Sequence, residues 1–95
     1  MTEVSVVLPA YNEENRIAPF LEELISYCQR GGKNWEILVV DDGSTDATAN
    51  VVNRFISSGL LKLIRLAKHQ GKGRAVREGI LQSTGAIRLF MDSDG

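Results

Sequence analysis

The chain has 95 residues, 43% of them hydrophobic and 24% charged, with a formal net charge of −1 at pH 7. That length allows one small core, near the low end of the roughly 100–150 residues of a common domain. It holds no apolar run near the ~20 residues of a membrane span, its Met1-Thr2-Glu3 start lacks a signal peptide's basic and apolar regions, and its single cysteine, Cys28, excludes an internal disulfide. A cytosolic, reducing setting follows as the expectation, with no nucleic-acid partner.

Val4 to Pro9 is short, β-branched and apolar, which predicts a strand ended by the proline. Ile17, Phe20, Leu21, Leu24, Ile25 and Cys28 then fall on one face of an α-helix. Asn12 is the expected N-cap, Glu13 and Glu14 suit the positive end of the helix dipole, and Gly31-Gly32 stops the helix. Glu36 to Val40 predicts a second strand, running into Asp41-Asp42-Gly43-Ser44-Thr45-Asp46. Val51, Val52, Phe55 and Ile56 mark the inward face of a second helix that ends near Gly59. Leu60 to Leu66 predicts a third strand, and its Lys62 and Arg65 suit a sheet edge. Gly71-Lys72-Gly73 opens a third helix, with Val76 and Ile80 expected inward and Gly85 closing it. Ile87 to Met91 predicts a fourth strand, which ends at Asp92-Ser93-Asp94-Gly95.

The alternation β-α-β-α-β-α-β, without repeat or linker, predicts an α/β fold. A parallel sheet lies between helical layers, joined by right-handed crossovers. The first, second and fourth strands read as apolar throughout, apart from Arg88, so both their faces are expected to be covered. With the third strand at an edge, the expected order is 3-2-1-4. Ligands of such sheets bind at the carboxyl ends of the strands where the order reverses. That crevice collects Pro9 to Glu13 and Asp92-Ser93-Asp94, with Asp41-Asp42 beside them.

Charge is segregated in the same sense. No acid occurs between Asp46 and Glu78, a stretch that carries Arg54, Lys62, Arg65, Lys68, Lys72, Arg74 and Arg77. The acids gather at the strand ends, which suits a meeting of metal and polyphosphate, although a solvated basic face explains the cations equally. Asp92 and Asp94, one residue apart at a strand end, suit a hard divalent ion such as Mg²⁺ or Mn²⁺, which takes carboxylate and diphosphate oxygens. A polar turn explains the same pair. Asp41 or Asp42 suits a base or ribose, or a plain turn with a helix cap; Asp46 reads as structural. Gly71-Lys72-Gly73 places backbone N–H groups and a lysine where an anion is favoured. It is neither a Walker loop nor a dinucleotide fingerprint, because Leu66 and Val76 stand where those motifs need glycine. Tyr11 suits base stacking or packing on the first helix. His69 has no cluster around it in the sequence, and Trp35 and Cys28 read as packing residues.

Val6-Val7-Leu8-Pro9-Ala10-Tyr11-Asn12-Glu13, Val39 to Asp46, Gly71-Lys72-Gly73-x-Ala75-Val76-Arg77-x-Gly79 and Asp92-Ser93-Asp94 together resemble glycosyltransferase family 2. The resemblance runs over essentially all of the chain. It implies the GT-A fold, a nucleotide-diphosphate sugar donor, a divalent metal and inversion by direct displacement. By resemblance, Pro9, Tyr11 and Glu13 line the nucleotide pocket, and Val40 and Asp42 hold the base. Asp92 and Ser93 lie at the ribose and diphosphate, Asp94 ligates the metal with Asp92 beside it, and Lys72 adds charge. Within the family the chain looks like the dolichyl- or polyprenyl-phosphate sugar synthases, the glucosyl branch more than the mannosyl. Such an acceptor would bring the chain to a membrane surface as a peripheral partner. In that family the catalytic aspartate and the acceptor site follow the acidic motif. Residues 1–95 are therefore expected to be the donor-binding half, cut after that motif, with strand four left at an open edge that promotes self-association.

Three other readings stand beside this one, and the missing second half favours the first of them for residues 1–95. A non-catalytic module that only binds nucleotide and metal would fold from the same residues. A phosphate-accepting receiver needs an aspartate at the end of strand three, where Leu66-Ala67-Lys68 stands. A nucleotidyltransferase usually needs a glycine-rich loop after strand one, and Pro9 to Asn15 contains no glycine.

Overall fold

The computed structural model describes residues 1–92. Strand β1 (Val4–Ala10), helix α1 (Ile17–Arg30), strand β2 (Trp35–Asp41), helix α2 (Thr48–Asn53), strand β3 (Leu61–Arg65), helix α3 (Lys72–Gln82) and strand β4 (Ile87–Phe90) follow in order, with one 3₁₀ turn at Ile56–Ser58. The four strands form one parallel sheet in the order β3-β2-β1-β4, as the sequence leads one to expect. β1 pairs with β2 from Val4–Trp35 to Ala10–Asp41, and with β4 from Val4–Ile87 to Val7–Phe90.

Both faces of the inner strands are covered. Val6, Leu8, Ile37 and Val39 pack against Ile17, Leu21, Leu24, Ile25 and Cys28 of α1 and Val51 and Val52 of α2. On the other face, Val7 and Val40 pack against Ala75 of α3. Cys28 is a buried free thiol whose burial raises its pKa.

Several local expectations are corrected. β1 runs through Pro9 to Ala10. Its Val7 carbonyl accepts from Met91 on the β4 side. Residues two apart turn their backbone groups the same way, so Pro9, lacking an N–H, faces the side where β4 has already ended. Asn12 is not the N-cap of α1: the helix starts five residues later, where the amides of Arg16 and Ile17 donate to the Glu13 carbonyl. Asn12 instead has a positive φ of 51° and ties two loops together. α2 is only six residues long, and Ile56 sits in the 3₁₀ turn, exposed rather than inward.

In α3 the inward residues are Ala75 and Gly79; Val76 is half-buried and Ile80 exposed. The helix lies so close to the sheet that a Cβ on Gly79 would stand 2.3 Å from Val7 Cγ1 and 3.0 Å from Val40 Cγ2. α3 ends at Gln82, before Gly85. Gly85 packs on Ser5 instead, where an added Cβ would lie 2.6 Å from its Oγ. β4 is not covered on both faces: Ile87, Leu89 and Phe90 are all exposed, because among the described residues it pairs only with β1 and no helix spans it.

Opposite the predicted crevice, at the amino end of the sheet, a buried carboxylate joins β1, β2, β3 and the segment that leads into β4. Glu36 accepts hydrogen bonds from the Ser5 hydroxyl at 2.6 Å and from the Thr84 amide and hydroxyl at 2.7 and 2.9 Å. Lys62 lies 3.3 Å from its other oxygen, and Ser5 Oγ accepts in turn from the Gly85 amide just before β4. Burial alone would raise the Glu36 carboxyl, but these hydrogen bonds outweigh it and lower the pKa to about 2.

Candidate functional site

The carboxyl ends of β1, β2 and β4 meet α3 around a hollow of about 130 Å³. It is lined by Pro9, Ala10, Tyr11, Glu13, Asp42, His69, Lys72 and Asp92. A larger hollow of about 570 Å³ lies beside β4, but its walls are mainly apolar side chains of Phe20, Leu24, Tyr27, Trp35, Leu89 and Phe90. Of these two, the smaller collects the convergent polar groups that mark a ligand site, and it lies at the carboxyl ends of the strands.

Two loops build its floor. The Asn12 amide donates to Ser44 Oγ at 2.9 Å, and Asn12 Oδ1 accepts from the Thr45 amide at 2.9 Å. The Glu13 amide donates to Thr48 Oγ1 at 2.8 Å, and Glu14 accepts from the Ala47 amide at 3.3 Å. The segment after β1 is thus stitched to the start of α2, which fixes Tyr11 and Glu13. Asp46 is structural, as expected, but precedes α2 rather than lying in its first turn. Burial works to raise its carboxyl; hydrogen bonds from the Thr48 hydroxyl and amide and the Glu14 amide outweigh it and hold it low.

Asp41 and Asp42 are both buried and do different work. Asp41 accepts from the Ser44 amide at 3.1 Å, closing the turn, and lies 3.7 Å from the Arg65 guanidinium. Asp42 reaches across to the loop after β3. Its Oδ1 accepts from the Gln70 amide and its Oδ2 from the Gly71 amide, both at 2.9 Å, and His69 Nδ1 lies 2.9 Å from Oδ2. The anion at the entry to α3 is therefore the protein's own Asp42. Gly43 makes this approach possible: its φ is +70°, and a Cβ there would stand 2.3 Å from the His69 amide nitrogen.

Tyr11 stacks on the His69 ring, centroid to centroid at 3.9 Å and 30° between planes, rather than packing on α1. Lys72 Nζ sits 2.8 and 2.9 Å from the two oxygens of Asp92. Six of the sequence candidates, Pro9, Tyr11, Glu13, Asp42, Lys72 and Asp92, thus line one hollow. Val40 does not: its side chain is fully buried against Val7 and Ala75, behind the hollow rather than on its wall. Ser93 and Asp94 lie outside the described residues. His69 is the lining residue that sequence reasoning missed, because its partner Asp42 is 27 positions away.

The donor chemistry fits a hard divalent cation. Asp92 offers carboxylate oxygens at a half-exposed strand end, where they already pair with the Lys72 ammonium. Among the described residues no group of three or more His, Cys, Asp or Glu side chains forms a metal cage. A metal here needs further oxygens from beyond them, which suits an ion that shares its shell with a diphosphate.

The family model for glycosyl transferase family 2 matches residues 5–95. A dolichyl-phosphate beta-glucosyltransferase of Trichomonas vaginalis is 42% identical over 95 residues, which cover 94% of this chain and 28% of that protein. The crystal structure of S. aureus TarS 1-349 with UDP-GlcNAc superposes with a TM-score of 0.89 and 33% identity, covering 98% of this chain and 27% of that one. Glucosyl-3-phosphoglycerate synthase from Mycobacterium tuberculosis, crystallised with Mn²⁺, UDP and glucosyl-3-phosphoglycerate, gives a TM-score of 0.71 and 33% identity over 97% of this chain and 33% of that one. The chain thus spans about a third or less of the length of each of these three proteins.

Proposed function

This chain belongs to glycosyl transferase family 2, and from that premise we propose that residues 1–95 bind the nucleotide-diphosphate sugar of a hexosyltransferase. The observation that carries this is the convergence of Pro9, Tyr11, Glu13, Asp42, Lys72 and Asp92 on one hollow, at the point where strand order reverses. The names of the relatives support glucose as the sugar and a dolichyl- or polyprenyl-phosphate as the acceptor. GDP-mannose is the alternative donor, named with Mn²⁺ in the structure of a Pyrobaculum calidifontis mannosyltransferase.

The residues divide the work as follows. Tyr11 and His69 form a flat wall for the base. Asp42 ties the loop before α3 to the end of β2, so that wall is set before the donor arrives. Lys72, at the first turn of α3, supplies positive charge next to Asp92 and balances developing charge on a diphosphate. Asp92 and Asp94 are the residues we assign to Mg²⁺ or Mn²⁺, which when bound supplies Lewis-acid neutralisation of the leaving diphosphate. Ser93 is assigned to the diphosphate by resemblance. We assign no catalytic base to these residues. For residues 1–95 by themselves we propose donor binding without turnover, since the relatives named above are about three times as long or longer. A prenyl-phosphate acceptor would make the chain peripheral to a membrane; no helix among the described residues is long and apolar enough to cross one.

Titration calorimetry with UDP-glucose and GDP-mannose, with and without Mn²⁺, tests the reading. Saturable binding that strengthens with Mn²⁺ is expected, and Asp94→Ala should remove the Mn²⁺ dependence, with at least a tenfold loss of affinity at saturating metal. Absence of binding by either donor up to millimolar concentration would refute it.

We also propose that this chain self-associates through β4. The strand's outer edge has no partner among the described residues, and Ile87, Leu89 and Phe90 are exposed beside Tyr27. Sedimentation equilibrium from micromolar to millimolar concentration should show a dimer that Leu89→Lys disrupts. A strict monomer throughout would contradict this.

A further inference from the structure

β4 has little of its own to set its register. It is four residues long, and Ile87, Leu89 and Phe90 are all exposed. Apolar side chains point to both of its faces, so burial distinguishes poorly between this register and the next. The Ile87 amide donates to the Glu3 carbonyl and the Met91 amide to the Val7 carbonyl, and equivalent bonds form in a shifted ladder.

Register nevertheless decides where Asp92 stands. Val7 packs on α3, and its partner on β4 is Phe90. Asp92 follows two residues later on the same face, where it meets Lys72 of α3. A slip of one residue would turn Asp92 to the opposite face, away from Lys72.

What separates the registers lies at the other end of the sheet. Ser5 and Glu36 are both buried. Ser5 Oγ donates to Glu36 Oε2 at 2.6 Å and accepts from the Gly85 amide at 2.8 Å. The same Glu36 oxygen accepts from the amide and hydroxyl of Thr84. Thr84 and Gly85 stand between the end of α3 and the start of β4, so one carboxylate holds both elements. The seat on Ser5 also admits only glycine. A Cβ there would lie 2.6 Å from Ser5 Oγ and 2.7 Å from the Ser5 amide nitrogen. A one-residue slip would force Thr84 or Ala86 into that seat.

We propose, on the reading that Asp92 and Lys72 serve a nucleotide diphosphate and its metal, that Glu36 and Ser5 form a register clamp. They are positioning residues, which touch neither ligand and set Asp92 opposite Lys72 from the far end of the sheet.

Ser5→Ala tests this by removing the bridge at the loss of one atom. Amide exchange followed by NMR should speed up at Met91 by at least about tenfold relative to Leu66, whose amide donates to the Asp41 carbonyl across the other parallel pair. The gain in UDP affinity on adding Mn²⁺ should shrink by at least about fivefold. Metal-free UDP affinity should stay within about twofold, because β1, β2 and the loop after β3 carry Tyr11, Asp42 and His69. Glu36→Met, which leaves no acceptor, should act like Ser5→Ala. Glu36→Gln, which keeps one acceptor oxygen, should recover most of both readouts. Val52→Ala, a core truncation on the α1 side of the sheet, lowers stability without touching the clamp and should move neither. Circular dichroism confirms that each variant is folded, and Ser5→Ala decides alone if Glu36→Met does not fold. Met91 exchange that rises no more than Leu66 exchange in Ser5→Ala, or an unchanged Mn²⁺ gain, would overturn the clamp and leave nucleotide binding standing. A native chain that binds no UDP, or binds it without help from Mn²⁺, would overturn the reading of the hollow instead, and the exchange readout would then decide the clamp.

Discussion

Gly43→Ala is expected to lower the melting temperature by more than about 12 °C and to abolish nucleotide binding. Two costs combine at this position. Alanine at a φ of +70° is strained by about 1–2 kcal/mol. The added Cβ also meets backbone, 2.3 Å from the His69 nitrogen and 2.4 Å from the Lys68 carbonyl carbon. Backbone cannot rotate out of the way as a flexible side chain can, so relief comes only by parting the β2 turn from the loop after β3. That separation breaks the three contacts on Asp42 and moves His69 away from Tyr11. Overpacking adds about 1–3 kcal/mol. Gly32 supplies the control: its φ is +72°, yet nothing lies within 4 Å of its added Cβ. Gly32→Ala therefore carries the strain alone, and should leave nucleotide binding intact. Equal shifts in the two melts would mean that the loop at His69 yields freely.

The turn at Gly43 also explains what could and could not be read from the residues alone. Strand order was legible because charge and apolarity differ between edge and centre. Lys62 and Arg65 mark β3 as an edge, and they pair with Glu36 and Asp41 of the neighbouring strand. Once the order is known, the end of β2 must lie beside the loop after β3. A polar residue in that loop is then a neighbour of Asp42. His69 is illegible in the chain order because its partners lie across this parallel pair rather than along the chain.

The inward face of α3 was misread for a different reason. Periodicity searches follow large apolar side chains, here Val76 and Ile80. A helix that lies this close to a sheet marks its contact line with small residues instead, Ala75 and Gly79. Asn12 was misread because a residue of its type before a helical pattern signals an N-cap. Its partners, Ser44 and Thr45, are supplied by another loop that only the folded sheet brings near.

The largest pH effect is expected from Glu36, at the end of the sheet away from the nucleotide site. Its folded pKa of about 2 lies below the ordinary value of 4.5. Between those values the unfolded chain binds the proton and the folded chain does not. Lowering the pH therefore favours unfolding. The contribution is fully present above about pH 4.5 and lost as the pH falls through about 2. It amounts to about 3 kcal/mol. Asp46, also held low, acts in the same direction. Denaturant unfolding of the native chain should therefore show a steep fall in stability over that window. In Glu36→Gln the fall should be shallower, with stability at pH 7 lower by about 2–3 kcal/mol. Part of the loss arises because the Ser5 hydroxyl and Thr84 groups lose a charged acceptor that links β1, β2 and the entry to β4. Lys62 adds little to it, since its ammonium is largely solvated. Lys62→Met should shift stability by less than about 1 kcal/mol at any pH. If Glu36→Gln and the native chain instead lose stability in parallel below pH 4.5, another carboxylate carries the acid response. The buried network would then be neutral toward protons.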